Sequence, residues 1–223
     1  MTGCIGRVLP GVFLLLFSAG AFGEDLLSID IWCEVQPMSF SPDADNAPHE
    51  AAAYRALFEE ARLIFSGMIY GYEFDYVPLD KSRGVREYLS VKPIAEIAPG
   101  DPNLRYVSGE VTDGRLYGRF TYTMEKYQIS RRESWQTITV PAADGKGEGK
   151  LWAGAEGKKT SREQAIKEAV RNYLRPRVFN KPREIKGEVI FLESPLLTVQ
   201  AGNYISTVKV KINVKEIIPN SVF

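Results

Sequence analysis

The chain contains the stretch Val208-Lys-Val-Lys-Ile-Asn-Val-Lys215, in which apolar and polar side chains alternate strictly. Successive side chains of a β-strand point to opposite faces of the sheet, so this pattern predicts a strand with one buried face and one solvent-exposed face. A sheet of that kind needs a covering layer on its apolar side. Because two amphipathic helices are predicted elsewhere, the sequence indicates an α+β fold with two helices packed on antiparallel sheet.

Two segments carry the apolar spacing of a helix. The first runs from about Pro48 to Phe65, and the second begins at Thr160–Ser161 and ends before Pro176. Gly67 is expected to stop the first helix, and a capping box is expected to start the second. The expected apolar positions are Tyr54, Leu57, Phe58, Ala61, Ile64, Phe65 and Met68 in the first helix and Ala165, Ile166, Ala169, Val170, Tyr173 and Leu174 in the second.

Most of the remaining sequence predicts strands. Asp113-Gly114 is typical of a two-residue hairpin turn, because both residues tolerate the positive φ angles that such a turn requires. The strand after the turn is expected to bury Leu116, Phe120 and Tyr122. Further strands are predicted at 69–77, 86–97, 104–112, 133–140 and 185–193.

A stretch rich in glycine and lysine, residues 141–159, predicts a linker that divides the chain. We therefore expect a signal peptide over 1–23, a first α+β unit with extra hairpin strands over 24–140, and a second α+β unit over 160–223. Each unit would contain a helix, a strand near a glycine and a long alternating strand. This shared order suggests a duplicated βαββ-like unit.

Residues 1–23 have the organisation of a secretory signal peptide. Arg7 precedes an apolar run from Val8 to Phe17, and small residues stand at Ala21 and Gly23. We expect cleavage before Glu24, which places the protein in the periplasm or at the outer-membrane periphery of a bacterium. A retained anchor would need about 20 apolar residues, more than this run offers. A lipoprotein would need a cysteine directly after the run, preceded by small residues, and no cysteine stands there.

Charge and cysteine content narrow the class of protein further. The 28 basic and 28 acidic residues cancel, so bulk electrostatic binding of nucleic acid is not expected. After cleavage Cys33 would be the single cysteine, which excludes an internal disulfide. Because Cys33 stands on the apolar side of an alternating run, we expect it to be buried in the core.

The sequence carries no complete catalytic, cofactor or metal-binding motif. The single histidine, His49, stands in the first turn of a predicted helix, where it is expected to be exposed. The acidic segment 41–50 departs from the calcium-loop pattern at Ala47. Gly157-Lys158 opens a helix as a phosphate loop does, but Trp152 stands where that motif needs glycine. We therefore predict a protein that is not an enzyme and holds no cofactor or metal.

The segment from Trp152 to Ala169, with Glu156-Gly157 before a helix that has regularly spaced alanines, carries a family resemblance. It resembles the N-terminal domain of flagellar assembly protein T and the related small outer-membrane lipoproteins, over residues 150–216. The missing lipidation cysteine departs from the lipoprotein members. The resemblance implies an assembly or stabilising role near the envelope or a flagellar base, with no catalytic residues to carry over.

Aromatic and basic residues on predicted strands suggest a recognition surface for an envelope protein or a glycan. An exposed edge strand could also accept a partner's strand, although lysines at 209, 211 and 215 discourage such pairing on their own strand. Two other hypotheses stay open: an envelope glycan hydrolase with unrecognised carboxylates, and a small outer-membrane β-barrel, against which the two helices argue. The predicted surface consists of Tyr117, Arg119, Tyr127, Arg131, Arg132 and Trp135.

Overall fold

The computed structural model describes residues 25–35, 49–137, 139–178 and 181–220. Helices and antiparallel strands alternate irregularly along them, which confirms the predicted α+β class. The signal peptide and most of the acidic segment 41–50 lie outside these ranges. The elements are β1 (Leu26–Glu34), α1 (His49–Ile69), β2 (Tyr72–Val77), β3 (Tyr88–Pro93), β4 (Leu104–Thr112), β5 (Arg115–Thr123), α2 (Lys126–Gln136), β6 (Ala142–Lys150), α3 (Gly154–Leu174), β7 (Glu184–Phe191), β8 (Leu196–Gln200) and β9 (Asn203–Ile218).

The strands form two open antiparallel sheets. The smaller sheet has the order β1-β5-β4, and the larger has the order β3-β2-β7-β9-β6, with β8 also paired to β9. The long strand β9 contains the alternating stretch 208–215, and its apolar residues Val208, Val210 and Ile212 are buried as predicted. The Asp113-Gly114 hairpin joins β4 to β5, and both of its residues have positive φ.

Helix α1 lies between the two sheets. It contacts β1 and β5 of the smaller sheet and β7 of the larger one. Leu57, Ala61, Ile64, Phe65 and Met68 are buried along it, as the apolar spacing predicted. The helix continues past Gly67 to residue 69, so the predicted stop was wrong. Because the flanking residues are buried, tertiary packing outweighs the weak helix propensity of glycine there.

The predicted linker over 141–159 was wrong. Residues 142–150 form β6, which pairs along its length with β9, and residues 154–159 already belong to α3. Gly145, Gly147 and Gly149 alternate on β6 and are all buried. A Cβ atom at any of the three would overlap the backbone of α3. The glycines therefore allow a helix to pack directly on a strand, and they do not mark a flexible segment.

The strand predicted at 133–140 was also wrong, because α2 occupies residues 126–136. Contacts with distant residues hold this helix in place. The buried Gln128 donates to the hydroxyl groups of Tyr70 and Tyr122, at 2.7 and 3.1 Å, and Arg131 donates to the carbonyl oxygen of Tyr70. Because most residues of α2 are polar, its sequence alone does not predict these interactions with distant residues.

Both halves of the chain share one hydrophobic core. The core includes Leu27 and Phe120 from the first half together with Ile166 and Val210 from the second. Strand β2 of the first half pairs directly with β7 of the second. Both halves run in the order strand, helix, strand, strand, but β6 pairs with β9 whereas β1 pairs with β5. The two predicted units therefore share a sheet and a core in this structure.

Within the described ranges, no helix combines the length and the apolar character that are needed to cross a bilayer.

Candidate functional site

The six residues predicted as a recognition surface fall on two different elements. Tyr117 and Arg119 lie on the outer face of β5, as expected, beside Trp32 in a shallow groove of about 610 Å³. Arg119 forms a two-pronged ion pair with Asp30 across the β1–β5 ladder, at 2.7 and 3.0 Å. The hydrogen bond from Arg119 lowers the pKa of the Asp30 carboxyl group. The charges of Arg119 and Asp30 therefore largely neutralise each other.

The other four predicted surface residues lie on α2. Trp135 is only 6% exposed, so it is not available to a partner. Arg131 contacts Tyr70 and lies 3.7 Å from Glu188, and Arg132 is partly buried, which lowers its pKa. Tyr127 is exposed, but its hydroxyl group lies 3.0 Å from that of Tyr70. These side chains mainly fix α2 to the protein, and the six do not form one continuous surface.

The sheet edge formed by β4 has the properties of a strand-binding site. Among the described residues, β4 pairs with β5 alone, so the hydrogen-bonding groups along its other side have no strand partner. We call this side of residues 104–112 the β4 edge. Its residues are mostly exposed, including Val107 at 55% and Val111 at 51%. An exposed row of backbone donors and acceptors is a template for another strand.

The other free edges carry the features by which proteins prevent strand addition. Strand β8 has five residues, and β3 has six residues and ends with Lys92 and Pro93. Strand β6 alternates glycine with charged residues, including Lys146 and Lys150. Short length, proline and lysine all discourage edge pairing. The nine residues of β4 include neither lysine nor proline; its charged residues are Arg105 and Glu110, and its ladder has a bulge near Val107.

An aromatic cluster lies beside the β4 edge and consists of Tyr54, Phe58, Tyr106 and Phe120. The ring of Tyr106 meets those of Tyr54 and Phe120 edge to face, with centroids 5.7 and 5.4 Å apart. Phe58 packs edge to face on Phe120 at 5.0 Å and is itself exposed. A strand added to β4 would place alternate side chains on the same face as Tyr106, against α1. The site therefore offers backbone pairing together with an apolar contact surface.

At the opposite edge of the same sheet, a largely buried charge cluster holds the C-terminal end of β1. The cluster consists of Glu34, Glu60, Lys158 and Arg162, from β1, α1 and α3. The Lys158 ammonium group donates to the carbonyl oxygen of Trp32 at 2.8 Å and lies 3.5 Å from Glu34. Arg162 binds Glu60 at 3.0 Å, and Glu60 lies 3.9 Å from Lys158.

Aromatic rings enclose the ammonium group of Lys158. It lies 4.4 Å from the centre of the Trp32 ring and 5.4 Å from that of Tyr204, distances at which cation–π attraction acts. Burial raises the pKa of the Tyr204 hydroxyl group, and the nearby Glu34 carboxylate adds to this effect. The cluster thus joins the C-terminal end of β1 to α3 and β9.

Among the described carboxyl groups, none shows the raised pKa that marks the general acid of a glycosidase. Asp30, Asp80 and Glu87 have displaced pKa values, and all three are displaced downward. Burial has the largest single effect on the Glu87 carboxyl group and raises its pKa, but the hydrogen bonds from Tyr76 and Arg175 and the charges of Arg175 and Arg171 together lower it. A general acid in such an enzyme requires a raised pKa. In the described ranges, no group of three His, Cys, Asp or Glu side chains is placed to hold a metal ion.

A cavity of about 110 Å³ lies between α1 and α3, with apolar walls that include Leu63, Val91 and Ile166. Arg162, Glu96 and Lys159 provide polar groups around it. Ligand sites usually occupy about 300–1,000 Å³. This cavity is smaller than that range and is therefore a weak candidate for a ligand site.

Over the described ranges the protein is an α+β protein of two antiparallel sheets, with β4 at one edge of the smaller sheet. A protein-family model matches residues 18–220, and the chain belongs to that family. The match spans both halves, in agreement with their common core.

A protein of Treponema pallidum (strain Nichols), described as uncharacterized, is 25% identical to this chain over 201 residues. The alignment covers 90% of this chain and 84% of that protein. No solved structure gives a significant match.

Proposed function

We propose that this protein is an exported assembly module of the bacterial cell envelope, without catalytic activity, that binds an extended segment of a partner protein at the β4 edge. The observation that supports the proposal is the contrast between β4 and the other strand edges. Strands β3 and β8 are short, β6 alternates glycine with charged residues, and the end of β1 is held by the charge cluster, whereas β4 has nine residues without lysine or proline. A nine-residue exposed edge without lysine or proline carries a risk of aggregation, and its retention is explained if a partner covers it.

The groups beside the β4 edge favour a protein segment over a glycan or a small ligand. Backbone groups recognise any extended peptide, and specificity then comes from the alternate side chains that reach neighbouring pockets. The aromatic cluster lies on the face to which those side chains would point. We therefore expect the partner segment to be extended and to carry apolar residues at alternate positions. A link to flagellar or outer-membrane structures is part of the same proposal and rests on the sequence resemblance.

Site-specific photo-cross-linking in cells tests the proposal. A photoreactive amino acid is placed at Val107 or Val111 in the exported protein, and the matched control carries it at Ala142, an exposed position on the β6 edge. We expect an adduct with one envelope protein from the β4 positions and none from Ala142. The double variant Val107→Lys/Val111→Lys should abolish adduct formation at a probe placed on Ser108, because lysines on an edge strand discourage strand addition.

Three outcomes would contradict the proposal. Equal adducts from β4 and β6 would show that the contact is not specific to the edge. An adduct between two copies of this chain would assign the edge to self-association. No adduct at all, with the protein correctly exported, would remove the β4 edge as a binding site.

A further inference from the structure

Positive charge is concentrated at one end of the larger sheet. β2 and β9 end there, and β3 and β7 begin there, as the pairs Val77–Tyr88 and Glu184–Ile218 show. The whole chain is neutral, so its charges are unevenly distributed over the molecule. The exposed cationic residues of this end, which we call the basic end, are Lys81, Arg83, Arg86, Arg175, Arg177, Lys181 and Arg183.

The acidic groups nearby do not neutralise the basic end. Asp80 is buried and binds Arg83, and Glu87 binds Arg175 at 3.0 Å and Arg171 at 3.4 Å. Glu184 lies 3.8 Å from Lys186, outside the set of seven. Glu216 is exposed at the same end of β9. Within the described residues, Lys81, Arg86 and Arg183 form no ion pair. Net positive charge therefore faces the solvent.

The β2–β3 turn that carries these cations is held in a defined shape. Asp80 and Val85 exchange backbone hydrogen bonds of 3.0 and 2.9 Å across the turn. The Asp80 carboxylate accepts hydrogen bonds from the backbone amides of Ser82 and Arg83. The Arg83 guanidinium group in turn donates to the carbonyl oxygen of Lys181 at 2.9 Å. These bonds fix the turn against the segment that follows α3, so that the cations share one surface.

Apolar side chains are exposed at the same end. Leu79 and Val85 flank the turn, Tyr88 begins β3 and Ile217 lies near the end of β9, and all four are exposed. Cations surrounding exposed apolar side chains are typical of surfaces that bind the interface of an anionic bilayer. A soluble polyanion would account for the cations but not for the exposed leucine and valine.

We propose that the basic end binds the surface of a membrane that contains anionic phospholipid, with Leu79 and Val85 entering the headgroup region. The cations would attract the anionic headgroups, and the apolar side chains would add a contribution that salt does not screen. This surface belongs to the larger sheet, whereas the β4 edge belongs to the smaller one. The proposal therefore goes beyond the binding of a partner segment and does not depend on it.

Vesicle co-sedimentation of the exported and purified protein tests this inference. Vesicles of phosphatidylglycerol with phosphatidylcholine are compared with vesicles of phosphatidylcholine alone. We expect binding to the anionic vesicles and a roughly hundredfold weaker partition for Lys81→Gln/Arg86→Gln/Arg183→Gln, because each cation near the membrane contributes roughly a factor of five. The matched control, Lys126→Gln/Lys146→Gln/Lys150→Gln, removes three exposed lysines elsewhere and should bind like the unchanged protein.

A second variant, Leu79→Ser/Val85→Ser, separates a membrane from a soluble polyanion. It should weaken vesicle binding at high salt while leaving binding to soluble polyphosphate unchanged. The proposal is overturned if anionic vesicles do not bind the protein, or if the two triple variants lose binding equally. It is also overturned if the Leu79/Val85 variant binds vesicles as strongly as the unchanged protein, which would assign the basic end to a soluble anionic polymer.

Discussion

At the scale of single residues, the ammonium group of Lys158 contacts groups from β1, α1 and β9. Its side chain is 4% exposed, and the carboxylates of Glu34 and Glu60 lie within 3.9 Å. A buried charge is tolerated when it is paired and hydrogen-bonded, and the loss of one member leaves the others uncompensated. The charge cluster should therefore contribute to stability only as a complete set.

Replacing Lys158 with methionine should lower the free energy of unfolding by about 3 kcal/mol, because Glu34 and Glu60 would lose their shared cation. Urea denaturation measures the change. The neighbouring Lys159, which is exposed and forms an ion pair with Glu156, provides the control variant Lys159→Met, with an expected change near zero. Equal stability of Lys158→Met and the unchanged protein would mean that the cluster is not stabilising.

Cys33 should be unreactive in the folded protein. Burial is the main cause that raises the pKa of its thiol to about 11, so very little thiolate is present at pH 8, and the thiolate is the reactive form. We expect no labelling by a thiol reagent at pH 8 and complete labelling of Cys33 in urea, measured by mass spectrometry of the peptide. Rapid labelling of the native protein would show that β1 opens readily.

The sequence predicted the burial of Cys33 correctly but gave no sign of the role of Lys158. Apolar and polar side chains alternate along residues 29–35, and this local pattern shows that Cys33 lies on the apolar side of β1. The partners of Lys158 lie on β1, α1 and β9, far away in sequence. Only the packing of those elements shows that Lys158 is buried.

At the scale of elements, β6 shows how tertiary packing can override local propensity. Alternating glycines weaken a strand in isolation, and for that reason residues 141–159 suggested a linker. In the fold the same glycines let Ala165 and Ala169 of α3 approach the strand backbone. A glycine at every second position, followed by a helix with small residues, is the signal that identifies such a contact.

The variant Gly147→Val should be strongly destabilised, because its side chain would overlap the backbone of Ser161 and Ala165. Overpacking usually costs about 1–3 kcal/mol, and a contact with backbone places this case at the upper end. Thermal unfolding provides the measurement. Lys146→Val, on the exposed face of the same strand, is the control and should have little effect. Similar melting temperatures for the two variants would contradict the packing of α3 on β6.

At the scale of the whole molecule, β4 lies at one edge of the smaller sheet and β1 at the other, and Lys158 links the end of β1 to α3. The sequence predicted the bounds of β4 correctly, at residues 104–112. It could not show that β4 is an edge, because the place of a strand in a sheet depends on which other strands pair with it. The sequence also failed to show that the predicted surface residues lie apart. A strand was predicted at 133–140, whereas the structure has α2 over residues 126–136.

The central claim is that a partner segment pairs with β4, and hydrogen–deuterium exchange tests it most directly. The protein is compared alone and with a peptide that carries the cross-linked partner segment. We predict that amides in 104–112 exchange more slowly in the complex, while amides in 142–150 of β6 do not change. Protection confined to β6, or to the outer face around Tyr117 without β4, would contradict strand addition at the β4 edge.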